Sequence, residues 1–260
     1  MKYIILASIF IASTALAFYG YTNGSLNGIN DKMTSYIPAD VLREYTPRHI
    51  VIGLDITAGR EEELMKDREA IGKIINDTRL GDKLEIYLVH SRAESEQESV
   101  FTAEMPIQPG PAGQNLKRAK QIADKDWASC WDGKIVPLMA DISRKQQTDL
   151  FGFMRYVTTQ KPEFKMHKHA NLILFTDGQQ VGDGYNLEKK IPANSALEQI
   201  KANGLLPDMK GISIRFAGVT ATHKVTNAHW RQLQDFWKEY AYKAGATSVA
   251  VTSDRSIQLN

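Results

Sequence analysis

The chain reads as an α/β protein built on a mainly parallel, doubly wound sheet with one antiparallel strand at its edge. Three observations carry that reading. Short unbroken apolar runs are bounded by turn residues, amphipathic helical stretches alternate with them, and one pair of runs is too close together for a crossover helix. Continuous apolar runs mark strands covered on both faces, whereas half-solvated strands alternate apolar with polar residues.

The first segment, MKYIILASIFIASTALAFYG, has one Lys, an apolar run from Tyr3, and the small-x-small sequence Ala15-Leu16-Ala17. It fits a signal peptide. It also fits an uncleaved anchor, because the uncharged stretch to Tyr21 approaches the roughly 20 residues that span a bilayer. Ala7, Ser8, Ala12, Ser13 and Thr14 dilute the apolar run and favour cleavage. Either reading puts residues 25–260 outside the cytoplasm, in a periplasm, at a cell surface or tethered to a membrane. Residues 1–24 are thus expected to be leader or anchor. The Gly-, Asn- and Ser-rich 25–45 is expected to be linker, and 46–260 the folded domain.

Within that domain, strands are expected at HIVIGLD (49–55), KLEIYLVH (83–90), SVFTAEMPI (99–107), ANLILFTD (170–177), GISIRFAGV (211–219) and TSVAVTS (247–253). Between them, Leu64, Ile71, Ile74 and Ile75 share one face of a helix over 60–80. Leu150, Phe153, Met154 and Val157 do so over 148–157, and Trp230, Leu233, Trp237, Tyr240, Ala241 and Ala244 over 228–244. Further helices are expected over 114–128 and 195–203. The gap between 83–90 and 99–107 makes that pair antiparallel, with 99–107 at the edge.

Composition excludes several classes. With 32 basic and 30 acidic side chains the net charge is +2, and no basic tract or aromatic-basic alternation points to nucleic acid. A single cysteine, Cys130 in WASCWDG, cannot form an internal disulfide and reads as packing between Trp127 and Trp131. The histidines show no zinc spacing, and His167 and His169 sit in a Lys-rich stretch expected at the surface.

The chemistry lies at strand ends, where open α/β sheets bind ligands. Asp55 closes the first strand and Asp177 the fourth, and each is followed by a glycine-containing turn. Thr57 follows Asp55, and Thr148 opens the helix of TDLFGFMRYV. Asp183 in GDGYN is a further acid nearby, expected to be solvated. Short oxygen ligands arriving from several loops suit a hard divalent cation such as Mg²⁺, which takes near-octahedral oxygens at about 2.1 Å. The alternatives are structural: Asp55 as a helix cap, Thr148 as an N-cap, and Asp177-Gly178 as a turn.

Three pieces, D-I-T-A-G (55–59), T-D-L-F-G-F-M-R-Y-V (148–157) and F-T-D-G (175–178), occur in an order that resembles the von Willebrand factor A domain and its metal-ion-dependent adhesion site. The similarity covers about 46–253. It implies that Asp55, Thr57, Thr148 and Asp177 hold Mg²⁺ or Mn²⁺, with an open coordination position for an acidic side chain of a protein partner. Gly59 stands where the family has a second serine, so one direct ligand is missing. A vestigial site in a scaffold subunit of an envelope complex is therefore the alternative, and a metal-dependent phosphohydrolase a second. IGLDITAG also resembles the phosphate loop of actin-like ATPases, but about 210 residues cannot build their two lobes. No nucleophile or base is evident beside the two acids, and no phosphate-loop, dinucleotide or nucleophile-elbow motif occurs. A binding module rather than an enzyme is expected.

Overall fold

A computed structural model describes residues 46–57, 60–90, 98–142, 148–192, 196–220 and 226–259. The expected leader or anchor, the linker and Gly59 lie outside the described residues. Among the described residues, no helix is long and apolar enough to cross a membrane.

In chain order the elements are β1 (His49–Asp55), α1 (Glu61–Asp77), β2 (Lys83–Val89), β3 (Phe101–Glu104), α2 (Gln114–Cys130), α3 (Val136–Ile142), α4 (Leu150–Gln160), α5 (Pro162–Lys165), β4 (Ala170–Phe175), β5 (Val181–Gly182), β6 (Tyr185–Asn186), α6 (Ala196–Ala202), β7 (Ile212–Ala217), α7 (Asn227–Lys243) and β8 (Ser248–Thr252). A six-stranded sheet runs in the order β3-β2-β1-β4-β7-β8. All neighbouring pairs are parallel except β2 with β3, which pairs antiparallel from Lys83 opposite Glu104 to Ile86 opposite Phe101. The fold is therefore the Rossmann-like α/β class expected, with its antiparallel strand at the edge.

Two apolar layers flank the sheet. On one face, α4, α6 and α7 bury Phe153, Met154, Ile200, Phe236, Trp237 and Tyr240 against Val51, Leu172, Leu174 and Phe216. On the other, α1 and α2 bury Leu64, Ile71, Ile75, Trp127 and Cys130 against Ile50, Ile52, Leu54 and Ile86. Successive strand side chains alternate between these layers, and for that reason the central runs carry almost no polar residue. Cys130 is a buried free thiol whose Sγ–H donates to the Val100 carbonyl at 3.2 Å, and burial raises its pKa. Trp127 and Trp131 meet edge-to-face beside it, as a packing role requires.

Helix boundaries depart from expectation where tertiary packing outweighs local signals. The helix expected over 114–128 extends to Ile142 through a π-helical turn at Trp131–Ile135, despite Gly133. Trp131 and Ile135 are fully buried there, and that burial offsets the roughly 1 kcal/mol a mid-helix glycine costs. The short β5–β6 hairpin was not expected. Its turn residues Asp183 and Gly184 have φ of 50° and 79°, the left-handed pair a type I′ turn needs, and Asp183 is exposed as expected.

One glycine brings the helix layer close to the site. A Cβ on Gly53 would lie 2.5 Å from Phe153 Cε1 and 2.7 Å from Leu174 Cδ2. Its absence lets α4 settle onto the centre of β1, two residues before Asp55.

Candidate metal centre

β1 and β4 are neighbours, so their carboxyl ends emerge side by side, and the polar residues that follow them share one rim. Asp55 is completely buried. Its Oδ1 accepts from the Thr57 hydroxyl at 2.8 Å and the Thr57 N–H at 3.1 Å, and the Thr148 hydroxyl lies 3.4 Å away. Thr148 Oγ1 is also 3.1 Å from Thr57 Oγ1. Thr176, immediately before Asp177, donates its hydroxyl to Asp55 Oδ2 at 2.8 Å. Three hydroxyls from three segments thus converge on one buried carboxylate.

The purely structural readings of these residues are partly displaced. Asp55 does not cap α1, whose N-cap position is Arg60 with no side-chain capping bond. The acidic first turn of Glu61, Glu62 and Glu63 answers the helix dipole instead. Thr148 does not open α4 as expected. Asp149 is the N-cap, accepting from the Gly152 N–H at 2.8 Å, and the helix begins at Leu150. Thr148 is set free to face Asp55. Asp177 does form a turn: its Oδ1 accepts the Gln179 N–H at 2.9 Å, and Gly178 has φ 82°. That bond leaves Oδ2 available.

Sequence reading missed two supports. Gln180, fully buried, accepts the Leu150 N–H at 2.5 Å through Oε1, while Val181 N–H donates to the Thr148 carbonyl at 3.0 Å. Together they pin the loop carrying Thr148 to the loop after Asp177. Arg60 is the other. Its Nη1 stands 3.7 Å from Asp55 Oδ2, and its Nη2 donates to Asp67 Oδ2 at 2.9 Å. Its position directly after D-I-T-A-G was the available signal.

The donor set is oxygen only: two carboxylates and two or three hydroxyls. It fits Mg²⁺ or Mn²⁺ and offers nothing to softer metals. Among the described residues, no group of three or more His, Cys, Asp or Glu side chains could hold a metal, so hydroxyls would have to complete any site. Of the histidines, His49 and His167 meet edge-to-face at 5.9 Å, His49 being the first residue of β1 and Asp55 its last, while His169 is exposed and His229 Nε2 bonds the Leu187 carbonyl at 2.9 Å.

The two carboxylates repel. Burial first, and Asp55 second, push the Asp177 pKa up to about 6, with Arg60 pulling it partly back. The folded chain therefore holds a proton between about pH 4 and 6 that the unfolded chain releases, and without metal it loses stability as pH rises through that window. Asp177→Asn keeps the acceptor for Gln179 and removes the charge. In EDTA it is expected to be more stable than the wild type at pH 7 by on the order of 2 kcal/mol, and no more stable at pH 4. Urea unfolding at the two pH values checks this, and an equal difference at both would remove the repulsion.

The fold and rim define an α/β domain with a cluster of side-chain oxygens at adjacent strand ends. No protein-family model and no curated protein matches the chain. Similar solved structures include proximal thread matrix protein 1 from the mussel byssus, at 13% identity and TM-score 0.37, covering 81% of this chain and 45% of that one. The pilus adhesin SpaC from Lactobacillus rhamnosus GG gives 12% and 0.40, covering 81% and 28%, and the human COPII-coat protein Sec24c gives 9% and 0.41, covering 82% and 30%. This chain spans less than half the length of each. At such identities and scores, function rests on the geometry of the site itself.

Proposed function

We propose that residues 46–260 form an exported binding module of the von Willebrand factor A type, which captures a protein partner through a divalent cation. In this reading Asp55, Thr57, Thr148 and Asp177 hold Mg²⁺ or Mn²⁺, and an open coordination position takes an acidic side chain of the partner. The cation supplies the Lewis acidity that binds the incoming carboxylate. The protein supplies a stiff cradle, since Asp55 is fixed by Thr57 and Thr176 and Thr148 by the Val181 and Gln180 contacts. The observation that carries the reading is the meeting of Thr57 and Thr148 hydroxyls on Asp55 across 91 and 93 residues of sequence. Nothing in strand formation requires that meeting.

The test is a calorimetric titration of the full chain with Mg²⁺ and Mn²⁺, paired with thermal unfolding. A cation at a hundred times its Kd is expected to add about 2.7 kcal/mol of stability, reversed by EDTA. If neither ion releases heat or moves the transition, metal-bridged capture is out. A second reading, a scaffold subunit of an envelope complex with no resident metal, is favoured by one observation: a buried guanidinium already stands beside Asp55. A silent titration together with an intact fold would select it.

A further inference from the structure

We infer that Arg60 is a built-in counter-cation of this site, weakening divalent-ion binding alone and leaving the loaded site positive toward an anionic partner group. The inference rests on the metal reading above and assigns a role to a residue outside the proposed ligand set.

Arg60 is 4% exposed and held at both ends of its guanidinium. Nη1 donates to the main-chain carbonyl of Asp55 and, at 3.3 Å, to that of Phe175, the last residues of β1 and β4. Nη2 donates to Asp67 Oδ2 at 2.9 Å. Asp67 is itself fully buried, and its Oδ1 accepts from Arg255 Nε at 2.5 Å. The guanidinium is therefore stitched across the two strand ends that carry the acids and braced by a second ion pair. It has no room to swing away when a cation arrives.

Its charge then decides what the site prefers. Within the cluster Asp55, Asp177 and Asp67 face Arg60 and Arg255, so three negative charges meet two positive ones and one negative charge is in excess. The further negative charge acting on Asp177, Glu188, is exposed and screened by solvent. Two carboxylates alone would be neutralised by a divalent ion. Here the same ion leaves the cluster with a net positive charge. A guanidinium 3.7 Å from a ligand carboxylate repels a cation held there, so the cation binds more weakly than the ligand set alone would dictate. The surplus positive charge is relieved by a carboxylate. Cation and anion consequently bind with positive coupling, and each must raise the affinity of the other by the same factor.

The experiment titrates Mn²⁺ and Mg²⁺ calorimetrically into the full chain as wild type, Arg60→Gln, Arg60→Lys and the double variant Arg60→Gln/Asp67→Asn. The double variant removes one charge of each sign and so returns the cluster to its wild-type net charge, with Arg255 still in place. Arg60→Gln is expected to tighten Mn²⁺ binding by about tenfold or more, while Arg60→Lys and the double variant, whose cluster keeps the wild-type net charge, stay nearer the wild type. Acetate, as a free carboxylate, is expected to tighten Mn²⁺ in the wild type more than in Arg60→Gln. Equal affinities in the wild type and Arg60→Gln would overturn the inference and leave the metal reading standing. So would tightening by Arg60→Lys as large as that by Arg60→Gln. If no chain takes up either ion, the metal reading fails first and takes the inference with it.

Discussion

Asp82→Ala is expected to lower the unfolding free energy by about 3–5 kcal/mol while leaving divalent-ion affinity unchanged. Asp82 and Arg48 are 1% and 2% exposed. Arg48 donates from Nε at 3.1 Å and Nη2 at 2.7 Å to Asp82 Oδ2, and its own N–H donates to Oδ1 at 2.8 Å. The Arg79 N–H donates to Oδ2 as well, at 2.8 Å, so Asp82 closes the turn that leads into β2. The same guanidinium reaches the carbonyls of Asp77 and Leu259, both at 3.0 Å, tying the end of α1 and the C-terminal tail to the start of β1. Alanine leaves that buried guanidinium to the half-exposed Asp77 carboxylate, 3.9 Å away, and unties two backbone donors. Arg48→Met combined with Asp82→Asn removes the charges together and retains an acceptor for the turn, so it is expected to lose less than Asp82→Ala alone. Urea unfolding of the three chains decides. Equal losses would mean that the desolvated charge is not the source of the cost. The pair sits before β1, at the rim opposite Asp55, and this separation is why metal affinity should not follow stability.

That pair was invisible in the sequence, and the reason is general. Strands and helices leave periodic traces, and β1 was legible to the residue at His49–Asp55 because every position in it is buried. Ion pairs between residues 34 apart, as in Arg48 with Asp82, or 188 apart, as in Arg255 with Asp67, leave no period at all. Strand ends were overrun for a related reason. SVFTAEMPI looked apolar enough to form strand along 99–107, yet the strand ends at Glu104. Hydrogen bonds in the same register still join Met105 N–H to the Asp82 carbonyl and Gly81 N–H to the Pro106 carbonyl, and Pro106 has no N–H with which to extend the ladder. The candidate site divides the same way. Asp55, Thr57, Thr148 and Asp177 were legible because each sits at a strand end or a helix start with a recognisable neighbour. Arg60, Asp67 and Gln180 were not. Charged or amide side chains beside a helix start are commonplace, and only the fold reveals that these three are buried. Trp237 and Tyr240 lay where the three-and-four spacing put them, on the core face of α7, with Trp237 Nε1 donating to the Gly178 carbonyl at 2.8 Å beside the Asp177 turn.

Asp55→Ala is expected to abolish any response to Mg²⁺ or Mn²⁺ and to cost about 3–5 kcal/mol even in EDTA, because the residue does two jobs at once. As a proposed ligand it is the carboxylate that both Thr57 and Thr148 reach. As a structural group it is the acceptor for the Thr57 N–H and for the hydroxyls of Thr57 and Thr176, and it stands 3.7 Å from the Arg60 guanidinium. Alanine leaves those donors without their acceptor, the buried Thr176 hydroxyl most of all, each at about 1–3 kcal/mol before relaxation. Asp55→Asn separates the jobs. It retains one carbonyl acceptor and the side-chain shape, so it is expected to keep more of the stability than Ala while still losing the cation. Arg60→Gln added to Asp55→Ala removes a buried charge that has lost one of its carboxylate neighbours and keeps Asp67 as its direct partner, so the double variant is expected to be at least about 1 kcal/mol more stable than the sum of the single losses predicts. Strict additivity would show that Arg60 and Asp55 do not sense each other across 3.7 Å, and the charge balance argued for this rim would then have to be redrawn.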